Sequence, residues 1–278
     1  MTPNPGWPYA EILKLMNTEP KMKNEDLAAG IVDAYIEAYV DEAINCGTST
    51  DLAALKVERS TGVARTVKEL TKALGGHLKN PTVKNALILA HWEAQSYNGE
   101  LFVDLADFCD LLIDRLASGA TDKELPEEIT NIRKACGNVK NAIKEMVIKS
   151  CFCGIDYQYS NGVSIYFPWS LIFSDYKSLA FAEEHGANWF NFLHQYIEET
   201  RRPPRGARAG EREANDSDLE LHQKFILFDS DLLTRRVQPL DHGPTALAQS
   251  MRNPPRRLAN HTIRDCDALK KITEDKAP

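Results

Sequence analysis

With 278 residues, 43% of them hydrophobic and 26% charged, the chain has the composition of a folded protein and is long enough for one large core or two smaller ones. Its 33 basic against 40 acidic residues give a formal charge of −7, which argues against attraction of the whole molecule to nucleic acid or to an anionic membrane. Apolar runs such as Ala86 to Ala90 fall far short of the roughly 18 residues of a membrane helix, and the opening stretch Met1 to Trp7 has neither the basic nor the apolar part of a secretion signal.

Along the chain the dominant period is helical. Apolar residues three and four apart predict a helix near 9–17, and a wider face follows Asn24, read as an N-cap with Glu25 and Asp26 at the positive end of the dipole. That face, Leu27, Ile31, Val32, Tyr35, Ile36, Tyr39 and Val40, is broad enough to predict a mostly buried helix. Thr50 to Val57 is a strand candidate, although its Leu and Ala would serve a helix equally well. Helices are expected near 58–75, 82–96 and 103–117, and another begins at Pro126 with Ile129, Ile132, Cys136, Val139, Ile143 and Met146 as a seam for a neighbour. The segment from Ile155 to Phe167 alternates on both sides of Asn161-Gly162 and predicts a β-hairpin with a type I′ turn. Helices near 175–184 and 187–199 complete a body that reads as α/β in class, mainly α with a hairpin and few strands.

A break follows. Arg201, Arg202, Pro203, Pro204 and Arg205 forbid a helix, so the boundary is placed there, with residues 1–200 as the folded body and 201–278 as a Pro/Arg-rich tail. Residues 200–278 carry 15 basic and 12 acidic side chains, leaving 18 and 28 for residues 1–199. With Phe225 and Phe228 as its sole aromatics, the tail is expected to be an extended appendage without a core of its own.

Four blocks then resemble one family: Gly6-Trp7-Pro8-Tyr9; Phe102 to Cys109; Gly162 to Pro168; and Tyr176 with Leu179, Phe181, Trp189, Phe192, Leu193 and Tyr196. In that order and spacing they look like the clostripain family of cysteine endopeptidases over roughly residues 6–196. The resemblance implies a caspase-like α/β/α sandwich and a Cys/His dyad that cleaves peptide or protein substrates after Arg or Lys. It also implies that the dyad's His-Gly and Asp-Ala-Cys segments come before the Gly6 block. The expectation is therefore an incomplete sandwich with a C-terminal helical region. Such a chain is inactive alone, needs no cofactor, and has as its possible partner a separate N-terminal catalytic half. No catalytic residue and no metal ligand is assigned. Because the family's block follows the nucleophile by a short connection, Trp7 becomes a substrate-binding candidate; the competing expectation is that Trp7 and Tyr9 simply seat the first helix.

Other chemistry-bearing residues receive plainer readings. His242-Gly243 with Cys266 lacks a strand context and reads as polar loop, and Cys151 and Cys153 read as core thiols rather than zinc ligands. Asp107, Asp110 and Asp114 read as a solvated helix face, and His91 and His194 as packed or rim histidines. The glycosylation patterns at Asn215 and Asn260 and the tail arginines are assigned no function. A chain lacking its upstream strands should also leave Val163, Ile165 and Phe167 uncovered, favouring self-association.

Overall fold

The computed structural model describes residues 6–46, 49–97, 101–117, 125–179, 182 and 188–200, so the tail and the boundary placed after residue 200 lie outside the described residues. Seven α-helices and five strands are described: α1 (Tyr9–Thr18), α2 (Asn24–Cys46), β1 (Thr50–Leu55), α3 (Ser60–Gly75), α4 (Pro81–Glu93), β2 (Ser96–Tyr97), β3 (Phe102–Asp104), α5 (Leu105–Ala117), α6 (Glu127–Met146), β4 (Val147–Cys153), β5 (Ser164–Tyr166) and α7 (Asn188–Thr200). The fold is mainly helical, with two small antiparallel sheets.

Local signals explain most of the boundaries. Pro81 opens α4 at its first turn while the Asn80 side chain accepts a hydrogen bond from Thr82 N at 2.9 Å. α2 begins at Asn24 itself, and Lys23 O accepts from Leu27 N at 2.9 Å, so the entry lies one residue before the expected cap. α5 starts later than the periodicity predicts. Phe102 to Asp104 form a strand, and Asp104 caps the helix by accepting from Ala106 N at 3.1 Å and Asp107 N at 2.9 Å.

Two cores result. In the larger one, α3 packs on α6, α6 on α5 and α5 on α4, with β3, β5 and α7 closing the side. The predicted seam of α6 is realised: Ile129, Ile132, Cys136, Val139 and Ile143 are all buried. Its aromatic centre is Phe167, which stacks on His91 at 3.8 Å and meets Phe108, Trp189, Phe192 and Tyr196 edge-on at 5.1–6.1 Å. The smaller core joins Val32, Tyr35, Ile36, Tyr39 and Val40 of α2 to Cys151 and Cys153 of β4, with Leu52 and Ala54 of β1 against them. Full burial of each large aliphatic is worth about 1.5–3 kcal/mol, which is why the wide apolar face of α2 needs a sheet beneath it.

The expected hairpin is corrected. β4 lies before Ile155 and pairs with β1, Thr50 opposite Cys153 and Leu52 opposite Cys151, whereas β5 pairs with β3, Val103 opposite Ile165. Gly154, at φ +82°, ends β4, and Asn161 donates to Asp104 instead of turning one strand onto the next. The β1 candidate is realised over Thr50–Leu55. The helix expected near 175–184 is a short 3₁₀ turn at Ser174–Ser178, because the Tyr166 hydroxyl holds the entering chain, accepting from Phe173 N at 3.0 Å and donating to Leu171 O at 3.2 Å. Exposure of the β5 apolar side is also corrected: Phe167 and Ile165 are buried and Val163 is half-buried. Trp189 Nε1 donates to Tyr166 O at 2.7 Å, and His91 binds Phe167 O.

Candidate functional site

Trp7 stands just ahead of α1, where its carbonyl accepts from Tyr9 N at 2.8 Å. Its ring tilts against Tyr35 of α2 at 5.2 Å, Tyr35 meets Tyr39 at 5.1 Å, and the Tyr39 hydroxyl donates to Gly6 O. Below this aromatic run the hydroxyls of Tyr35 and Thr50 of β1 approach to 3.4 Å. Trp7 nevertheless keeps 47% of its surface exposed and Tyr9 keeps 68%. One face of the indole seats the chain on α2, and the other is open to a ligand. No residue of α1 is buried; Leu15 packs on Gly30 of α2 while Leu13 and Met16 face water.

A thiolate–imidazole pair needs an accessible sulfur beside a nitrogen free to take its proton. Cys109, Cys136, Cys151 and Cys153 are reduced and buried, and burial together with the neighbouring Cys136 pushes the Cys109 thiol well up. His91 is buried between the rings of Phe167 and Trp169, each at 3.8 Å. Nε2 lies 2.8 Å from Phe167 O, a pure acceptor, so Nε2 carries the hydrogen and Nδ1 accepts from the Tyr196 hydroxyl at 2.9 Å. Both nitrogens are committed to structure, and burial holds the imidazole down at about 3. His194 is exposed on α7 with its ring edge-on to Phe190 at 4.4 Å. His242, Gly243 and Cys266, together with Asn215, Asn260 and the tail arginines, lie outside the described residues.

The stripe Asp107, Asp110 and Asp114 is a correction in part. Asp107 accepts from Gln95 N at 2.7 Å and Asp110 pairs with Lys140 of α6, so two of the three carboxylates fasten α5 to its neighbours, while Asp114 is exposed. Asp110 and Lys140 also line a cavity of about 650 Å³ between α5, α6 and β4, with Lys144, Lys149, Ser150 and Asn161. Lys149 is held by Asp33 at 2.6 Å, so the inner lysines of this cavity are engaged.

The densest polar arrangement was not singled out by the sequence at all. Residues 154–163 cross between the two sheets, and four side chains hold them. Gln95 Nε2 donates to Asp156 O at 2.6 Å while its Oε1 accepts from Tyr159 N at 3.3 Å. Asp104 accepts from Asn161 N at 2.6 Å and Asn161 Nδ2 at 2.8 Å, in addition to its two bonds at the start of α5. The hydroxyls of Tyr97 and Ser160 are 2.6 Å apart, and Ser160 bonds Asp51 of β1. Asp104 has no exposed surface, and burial raises its carboxyl to about 6 against the pull of its N–H donors. Asp51 is likewise raised by burial, and the Tyr97 phenol is pushed far up by burial and the nearby Asp104. The available signals were Asp104 and Asp107 inside the 102–109 block and Asn161-Gly162, whose turn chemistry pointed to a hairpin instead.

Among the described residues, no group of three His, Cys, Asp or Glu has the placement of a metal site, and no helix is long and apolar enough to cross a membrane. A model of the clostripain family matches residues 1–196. Neither a curated protein nor a solved structure matches the chain.

Proposed function

We propose that this chain, which belongs to the clostripain family, is the C-terminal portion of a clostripain-like cysteine endopeptidase and does not cleave peptides alone. The observation that carries the reading is the state of the described sulfur and imidazole groups. His91 is tied at both nitrogens to Phe167 and Tyr196, and Cys109, Cys136, Cys151 and Cys153 are buried. Membership of a peptidase family supports peptide or protein substrates, and the family's preference for Arg or Lys before the cut bond is carried over as part of the proposal. In this reading an N-terminal half supplies the thiolate and the general base, and the Trp7 face takes part in holding the substrate chain. Trp7 suits that role because a half-exposed indole presents rigid apolar area at low entropic cost.

The test is peptide hydrolysis after Arg or Lys by the purified chain, alone and mixed with an N-terminal half from the same family. No turnover alone and thiol-sensitive turnover in the mixture are expected. Turnover by the chain alone that disappears on mutating Cys266 or His242 would overturn the proposal.

The two-stranded β1–β4 sheet favours a second reading, that the chain is a non-catalytic module whose sheet is extended by a strand of another protein. Stable association with an N-terminal half without any gain of hydrolysis would select it.

A further inference from the structure

Beyond that reading, residues 154–163 combine two features. They have no helix or strand of their own, and they are fastened almost entirely by side chains of other elements, Gln95, Tyr97, Asp104, Asp51 and Ser49. The titratable groups that meet at this contact are Asp51 from β1, Tyr97 from β2, Asp104 from β3, Asp107 from α5, and Asp156 and Tyr157 of the segment itself. Every charge found to act on Asp104, Tyr97 and Tyr157 across the contact is a carboxylate. Tyr157 stacks on Tyr97 at 5.7 Å, and Gly162 sits so close to Ala53 and Ser150 that a Cβ there would come within 2.9 and 3.2 Å of theirs. The segment is therefore a cover laid over Asp104 and Asp51.

We propose that residues 154–163 form a proton-responsive clasp, held shut over Asp104 and Asp51 in mildly acidic medium and opening more often as the medium becomes neutral. The reason is differential solvation. A lifted segment returns both carboxylates to water, where the ionised form is favoured, while a shut one encloses them without a cation. Asp104, held at about 6 when covered against an ordinary 3.8, keeps its proton in the shut state across that interval and loses it in the open one. Closure is therefore strongest below the ordinary value and weakens as the pH rises to about 6, above which both states are ionised; Asp51, raised in the same direction, adds to the effect. Within the interval each pH unit shifts the opening equilibrium by up to about tenfold.

Hydrogen exchange of the intact protein between pH 4.5 and 7.5, corrected for the intrinsic rate, tests the clasp. Amides of residues 155–163 should show an opening constant that rises by up to about tenfold per pH unit and levels off near 6, while amides of α6 serve as the control. Asp104→Asn should abolish the rise. Should that variant not fold, carbon-13 titration of the Asp104 carboxyl in the unaltered protein provides the second reading, with a midpoint coinciding with that of the exchange profile. Protection that is flat or that strengthens with pH, a slope retained in Asp104→Asn, or an Asp104 midpoint at the ordinary carboxylate value would each overturn the proposal.

Discussion

His91 and Asp104 are both buried ionisable groups, and their protonation acts on stability in opposite directions. The unfolded chain protonates His91 near its ordinary 6.5 whereas the folded one resists down to about 3, so the contribution of His91 is complete above 6.5 and is lost as pH falls through that interval. Asp104 binds its proton more tightly when folded, so its contribution is complete below 3.8 and is lost as pH rises through about 6. Between about 4 and 6 the two slopes, each up to about 1.4 kcal/mol per pH unit, cancel. Asp104→Asn should therefore make stability climb with pH in that interval relative to the unaltered protein, as read by urea denaturation at a series of pH values. His91→Ala leaves the Tyr196 hydroxyl and Phe167 O without their partner inside the core and empties the slot between two rings, for an expected loss of about 3–5 kcal/mol in the same experiment.

At the scale of elements, the two glycines that flank the crossing segment are the most exacting positions. Gly154 and Gly162 adopt φ +82° and +94°, which side chains rarely tolerate. A Cβ on Gly154 would come within 2.7 Å of the Ser49 backbone, whereas one on Gly162 would press on the side chains of Ala53 and Ser150. Both Ala variants should be destabilised by about 1–3 kcal/mol, Gly154→Ala more than Gly162→Ala because backbone yields less readily than side chain. Thermal melts of the two variants side by side give the order. The same elements show how far the sequence could be read. α3, α4, α6 and α7 follow from apolar spacing and from Pro81 and Pro126, since an amphipathic helix announces its buried face locally. The hairpin could not be read correctly, because Asn161-Gly162 has the right turn chemistry and the competing partner, Asp104, is distant in sequence.

For the whole molecule, every residue of the two described cores lies between Val32 and Tyr196, which makes the cores independent of the tail's apolar residues. Removal of residues 201–278 should therefore leave the cooperative melt and the helicity of the remainder unchanged, as followed by circular dichroism; loss of the transition would place part of the stabilising surface beyond residue 200. The sequence by itself determined the mainly helical body, the seam of α6, the strand at Thr50 and, through four blocks of residues, the family. These rest on local periodicity or on identities at fixed spacing, and neither needs long-range contacts. Only the tertiary structure decided that β4 pairs with β1 and β5 with β3, that Asp107 and Asp110 are fasteners rather than a solvated face, and that His91 is locked at both nitrogens. Trp7 resting one face on Tyr35 is of the same kind. Each of these depends on which groups meet across tens of residues of chain, and strand pairing and burial select those partners by collective packing that no local window contains.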